Sequence, residues 1–210
     1  MLKPYHGSIR NIACLYAHSG LAEDDGNRIY EIAAAVNAPD RPEETFSSLV
    51  YYGKTTERDR HASGISREAL RSAPPLADVT AFLSSLLRET DLLLTLNPRE
   101  QIESLLAGCG NPRVVDLLFA TEFFLPQADS AALKPLWEHL HGKQREKFSF
   151  TAREALELSL DLVRHIGGRV LNPAEFPPAA ALRFHLGRSE TLFGNLFIHL
   201  NRNFRAGEDR

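Results

Sequence analysis

Residues 12–36 read IACLYAHSGLAEDDGNRIYEIAAAV. Ile12 to Leu15 is an apolar run that suits a strand, Ser19-Gly20 is a small polar turn, Glu23-Asp24-Asp25-Gly26 is an acidic loop, and Arg28 to Val36 is apolar again. Strand, turn, loop and strand in so short a span is the opening of a sheet. The turn at Ser19-Gly20 falls where a site would be built.

Working outward, Asn37-Ala-Pro-Asp-Arg-Pro has turn chemistry, with Pro39 and Pro42 as punctuation. Thr45 to Tyr52 (TFSSLVYY) is a third strand by its aromatic and β-branched content. Three strands joined by short loops predict an antiparallel meander. The period then changes. Ser66 caps a short helix to Arg71, stopped by Pro74-Pro75. Leu76 to Leu87 sets Leu76, Val79, Phe82, Leu83, Leu86 and Leu87 at helical spacing. Asp91 to Leu96 suits a buried strand, Gln101 to Leu106 a helix ended by Gly108 and Gly110, and Arg113 to Leu118 another strand. Ala131 to Leu140 and Thr151 to Ile166 read as helices, the second closed by Gly167-Gly168.

This order predicts an α/β fold: a mixed five-stranded sheet that begins with the meander and is flanked by helices, in a domain over residues 7–167. Residues 168–210 read as an extension. Asn172-Pro-Ala-Glu-Phe-Pro-Pro is a linker, and Leu192, Phe193, Leu196, Phe197 and Leu200 share one face of a helix. That face either docks on its own domain or serves as an interface for another domain or a second copy.

Length and composition bound the function. With 210 residues the chain holds one good-sized core, or one domain plus an extension. Hydrophobic residues at 43% and charged residues at 24% are ordinary for a soluble globular protein. A net charge of -3 and a pI of about 6.2 give no global basic field, although a local groove can be basic on such a protein. Cys14 and Cys109 match no metal spacing, and Cys14 reads as a small buried hydrophobe. The first residues, MLKPYHGSIRN, hold no apolar core of signal-peptide length, and no run approaches the roughly 20 apolar residues of a membrane span. A cytoplasmic location is the expectation.

Six short motifs follow one another along the chain: Ser19-Gly20-Leu21 with Arg28-Ile-Tyr-Glu-Ile-Ala-Ala-Ala-Val; Phe46-Ser-Ser-Leu-Val; Ser63-Gly-Ile-Ser through Ala73-Pro-Pro-Leu to Val79; Leu94-Thr-Leu-Asn97; Val115-Asp116; and Leu125-Pro126. In that order and spacing, from about Ile12 to Ile166, they resemble the DEDD-type 3′-5′ exonucleases, such as the proofreading epsilon subunit of DNA polymerase III and the domains fused to some bacterial helicases. The resemblance implies a ribonuclease H-like fold. It also implies a site in which four carboxylates hold two divalent metals for phosphodiester cleavage, with a His or Tyr as general base.

The carboxylates that this resemblance calls for are not in place. Counting back from Gly20 puts Leu15 and Ala17 at the first Asp and Glu, and a shift by one gives Tyr16 and His18. Gln101 stands at the second Asp, four residues after Asn97, with Glu100 one helical step of about 100° away from it. A neutral amide is a poor ligand for a hard cation. Glu154 is a weak candidate for the last carboxylate, with Ser149 where the base would be; the plainer reading makes Glu154 a first-turn residue favoured by the helix dipole.

The leading expectation is therefore a catalytically degenerate exonuclease-like domain that binds nucleic acid or a partner protein in DNA or RNA metabolism, without a metal cofactor. His18, Ser19, Gly20 and Asn97 are the candidate nucleic-acid-binding residues, His18 by stacking on a base or touching phosphate. The alternative is an active nuclease using magnesium or manganese on Glu154, Glu100 and Asp116, and a third reading is a structural or dimerisation module using the Leu192 to Leu200 face. Lys143, Arg145, Lys147 and Arg153, with Arg183, Arg188, Arg202 and Arg205, either line a nucleic-acid path or belong to a solvated face. His139 and His141 match no standard zinc spacing, and Trp137 reads as core.

Overall fold

A computed structural model describes residues 11–21, 27–38, 41–51, 56–97, 99–106, 108–109, 112–118, 121, 125, 128, 132–147 and 149–170. Within these, β1 (Ile12–Leu21), β2 (Asn27–Ala38) and β3 (Arg41–Leu49) form the meander, and β4 (Leu92–Thr95) and β5 (Arg113–Asp116) extend it. The sheet has the order β3-β2-β1-β4-β5. β1–β2 and β2–β3 pair antiparallel, and β1–β4 and β4–β5 pair parallel. The helices are α1 (Glu57–Ser63), α2 (Arg67–Arg71), α3 (Leu76–Leu87), α4 (Arg99–Leu106), α5 (Leu133–His141) and α6 (Ala152–Val170).

β1 lies at the centre and is covered on both faces. Ala13, Leu15 and Ala17 pack with Val79, Leu83 and Leu87 of α3 and Ile102 and Leu105 of α4. Ile12, Cys14 and Tyr16 pack with Leu136 of α5 and with Ala152, Ala155, Leu156 and Leu162 of α6. Two-sided burial explains why Leu92-Leu93-Leu94 in β4 is apolar without alternation. Each such fully buried leucine contributes about 1.5–3 kcal/mol of apolar transfer.

Several boundaries differ from the expected ones. Ser19-Gly20 is no turn: β1 continues to Leu21, with Ser19 opposite Ile29 and Gly20 opposite Arg28. β3 starts at Arg41 and ends at Leu49, and its place at the sheet edge tolerates Pro42, which has no N–H to donate. α6 runs through Gly167-Gly168 to Val170, because the long buried face of the helix outweighs a glycine cost of about 1 kcal/mol each. α1 has no apolar period, and Glu57 pairs there with Arg60 at 2.8 Å and Arg67 at 2.9 Å. The Ser66 cap is as expected, its Oγ accepting from Ala69 N at 3.2 Å. Gly108 (φ 93°) sits in the left-handed region just beyond α4. Residues 171–210, with the Leu192 to Leu200 face, lie outside the described residues. No helix among the described residues is long and apolar enough to cross a membrane.

Candidate functional site

Two of the motifs, the one opening at Ser19 and the one ending at Asn97, meet at the C-terminal end of β1. Pairing between β1 and β4 stops at Leu15 opposite Thr95. Two residues further, Asn97 takes over: its Nδ2 donates to Ala17 O at 2.7 Å and its Oδ1 accepts from Ala17 N at 2.8 Å. The carboxamide thus offers one donor and one acceptor, as another residue of β4 would. Thr95 Oγ1 holds the turn by accepting from Asn97 N at 3.0 Å. Gln101, one turn into α4, receives on its Oε1 both Asn97 Nδ2 at 3.2 Å and Ser19 Oγ at 3.4 Å. Ile102 and Leu105, both fully buried, anchor α4 so that Gln101 meets the strand end.

The two candidate registers on β1 fall on opposite faces of the sheet. Leu15 (0% exposed) and Ala17 (1%) face α3 and α4 and are core. Tyr16 and His18 face α6, with His18 directly opposite Glu31 of β2. The ladder slips just beyond: Glu31 opposes His18, Ile29 opposes Ser19, and Tyr30 is left over as a bulge. Neither face receives a carboxylate from β1.

On the α6 side a carboxylate arrives from β2 instead. Glu31 Oε2 accepts from Ala152 N at 2.7 Å, at the first residue of α6. Burial pushes the Glu31 carboxyl above its ordinary value, the Ala152 N–H offsets part of that, and nearby Glu154 adds to it. Burial also lowers the His18 imidazole and raises the Tyr16 phenol, the latter with help from Glu31. His18 Nδ1 is buried without a hydrogen-bond partner among the described residues. Glu31 was not among the residues singled out from sequence; its signal was a charge inside the apolar run Ile29 to Val36.

Comparison with protein-family models finds no match, and neither does comparison with curated sequences. Solved structures do match. A full-length 3′-exonuclease superposes with a TM-score of 0.53 at 12% identity, over 80% of this chain and 84% of that one. Exonuclease I in complex with an inhibitor gives 0.57 at 15% identity, over 88% of this chain and 46% of that one. E. coli exonuclease I in complex with a dT13 oligonucleotide gives 0.54 at 14%, over 78% and 43%. The fold is the ribonuclease H-like exonuclease fold. At these identities the likeness is one of fold, and the chain spans less than half of either exonuclease I structure.

Within the exonuclease fold, the remaining candidates find structural partners. Glu154 closes a capping box with Thr151: Thr151 Oγ1 accepts from Glu154 N at 3.2 Å, and Glu154 Oε2 accepts from Thr151 N at 2.9 Å. Its other oxygen pairs with Arg145 at 2.9 Å. Partial burial works against ionisation of Glu154, but the bonds from Thr151 and Arg145 outweigh it and hold the carboxyl below its ordinary range. Arg145 is itself committed, lying 4.0 Å over the Phe150 ring and donating to Lys147 O and Ser149 O.

The rest of the expected set scatters. Arg153 pairs with Glu157, while Lys143 and Lys147 are exposed. Trp137 is half-buried and packs on the core, with His141 stacked on it at 4.3 Å. Asn97 is 3% exposed, with its amide engaged by Ala17 and Gln101. Asp116 sits on β5, two strands from β1 or roughly 10 Å, and accepts from Leu118 N at 2.8 Å. The side chain of Glu100 lies outside the described residues. Among the described residues no three His, Cys, Asp or Glu side chains gather as a metal-binding group.

Proposed function

We propose that this chain is a catalytically degenerate 3′-5′ exonuclease-like domain that uses the end of β1 to bind single-stranded nucleic acid. One observation carries the reading: Gln101, where the resemblance calls for a metal-binding Asp, is a neutral amide whose oxygen is held by Asn97 and Ser19. Two-metal hydrolysis needs clustered anionic oxygens, both to bind hard cations and to concentrate them. Leu15 and Ala17 supply apolar core in their place, and Glu154 is engaged by Thr151 and Arg145.

His18, Ser19 and Gly20 are the residues assigned to the strand, with neutral His18 offering a ring for stacking. The solved exonuclease I complexes with single-stranded DNA and with dT13 support that ligand class. A partner protein is the second reading, favoured by the exonuclease I complex with a single-stranded DNA-binding protein C-terminus. Fluorescence anisotropy with labelled dT and rU oligonucleotides at low salt tests the proposal. Binding that weakens steeply as salt rises is expected; no signal with either oligonucleotide overturns it.

A further inference from the structure

β3 closes the sheet on one side, and among the described residues no strand pairs with its outer edge. Two backbone bonds fix which of its groups point outward. Val50 N donates to Tyr30 O of β2 at 2.9 Å, and the next residue, Tyr51, donates the other way, to Pro74 O at 2.9 Å. Backbone groups alternate along an antiparallel strand, so Ser48, Phe46 and Glu44 face β2 as Val50 does. Leu49, Ser47 and Thr45 therefore turn their N–H and C=O outward, as Tyr51 does. Thr45 and Ser47 are exposed, and the Leu49 carbonyl accepts from the Ser48 hydroxyl at 2.8 Å. Pro74 covers the edge at Tyr51, and Glu43 and Glu44 put charge at its other end. The stretch between them, Thr45 to Leu49, has no charge to keep a further strand away.

An exposed aromatic pair lies beside this edge. Phe82 of α3 is 54% exposed, the large apolar side chain left in solvent among the described residues. Its ring stacks on Phe46 of β3 at 4.7 Å. Phe46 is itself half-buried, on the α3 face of the sheet with its β2 partner Ala34. Ala81 and Ser85, both exposed and small, flank Phe82 and leave room for a second helix to approach. Unpaired backbone and apolar surface thus occur together, the combination that takes up an added strand.

We propose that β3 is the interface with a second copy of this chain, the two β3 strands pairing antiparallel about a two-fold axis at Phe46. The arrangement of charge selects the second copy and the register. With Phe46 opposite Phe46, Thr45 faces Ser47 of the second copy and exchanges both backbone bonds with it, and Glu44 faces Ser48. The two Glu44 carboxylates then stand four residues, about 13 Å, apart along the ladder. Centring the pair on Glu44 sets carboxylate against carboxylate, and centring it on Thr45 sets Glu44 against the Phe46 ring. Centring it on Ser47 drives Glu43 of the second copy into Tyr51, whose N–H already serves Pro74. At Phe46 the facing residues are about 4.5 Å apart at Cα, so the two rings meet, each backed by its own Phe82. The result is one ten-stranded sheet across two copies, closed by symmetry against further growth.

Sedimentation of the full-length chain over a dilution series tests the interface. The parent is expected to sediment at twice the 23.4 kDa chain mass and to dissociate on dilution. Ser47→Pro removes an N–H that β2 does not use, so it is expected to give monomer while keeping the melting temperature of the diluted parent. Phe82→Glu is expected to give monomer as well. A parent that is monomeric at every concentration overturns the proposal. A dimer that survives Ser47→Pro also overturns it, because another surface then holds the copies together. Cysteine pairing tests the register even if Ser47→Pro fails to fold. Thr45→Cys mixed with Ser47→Cys is expected to link under mild oxidation, since the facing Cα atoms are about 5.5 Å apart. Either variant alone is expected to stay unlinked, its like positions being about 9 Å apart. A mixture that links no faster than the single variants overturns the proposal.

Discussion

Asn97 clamps Ala17 by both of its backbone groups, donating to the carbonyl at 2.7 Å and accepting from the amide at 2.8 Å. A side chain here completes a parallel ladder whose own strand has already turned away into α4. The clamp also fixes the orientation of the carboxamide, which is why its spare hydrogen reaches Gln101.

Removing the clamp leaves two buried backbone groups of Ala17 without partners, each costing about 1–3 kcal/mol. Asn97→Ala is expected to lower stability by about 2–4 kcal/mol in urea denaturation. Asn97→Asp is expected to fare no better, because a carboxylate cannot donate to Ala17 O. A loss below about 0.5 kcal/mol would show that water replaces the amide freely.

Leu15 gives a second test, because core and open metal-site positions respond differently. In the core, beside Leu87 and Ile102, Leu15→Ala leaves a cavity and is expected to cost about 2–5 kcal/mol. Thermal or urea unfolding measures it. A cost near zero would place Leu15 at an open surface.

The two carboxylates at the start of α6 pull the pH dependence in opposite directions. The folded-state pKa of Glu31 is raised, so its contribution is full below the ordinary 4.5 and is lost as pH climbs through the folded value. That of Glu154 is lowered, so its contribution is present above 4.5 and is lost as pH falls. Glu31→Gln, whose amide oxygen still accepts from Ala152 N, is expected to gain on the parent as pH rises from about 4 to about 7, and Glu154→Gln to flatten the acid limb. Melting temperatures across that range decide; an unchanged slope in Glu31→Gln contradicts the account.

If His18 stacks on a base, His18→Ala is expected to weaken oligonucleotide binding about tenfold, the low end of one lost stacking contact. His18→Phe keeps a ring and is expected to retain most of the affinity. Anisotropy titrations at fixed salt compare the three proteins, and equal affinity for all of them removes His18 from the site.

Much of this fold was legible because the strands carry their burial in their sequence: Leu92-Leu93-Leu94 and Ile32 to Val36 are apolar on both faces and lie in the middle of the sheet. What was not legible depended on partners distant in sequence. Ser19-Gly20 has turn composition, yet β2 supplies the pairing that keeps it in a strand. The bulge at Tyr30 leaves no local mark, and only the ladder shows that Tyr16 and His18 face α6. α1 hides because ERDRHAS has no apolar face. At the site, the burial of Leu15 and Ala17 follows from the apolar run they extend, and the capping box of Glu154 with Thr151 from their spacing at the start of a helix. The link from Glu31 to Ala152 was not, since it spans 121 residues.

The central claim is that the exonuclease fold persists here without two-metal chemistry. The most direct measurement is incubation of the full-length protein with 5′-labelled single-stranded DNA and RNA in manganese, resolved at single-nucleotide length. The account predicts substrates of unchanged length. Progressive shortening from the 3′ end that chelator abolishes and Glu154→Gln reduces would contradict it.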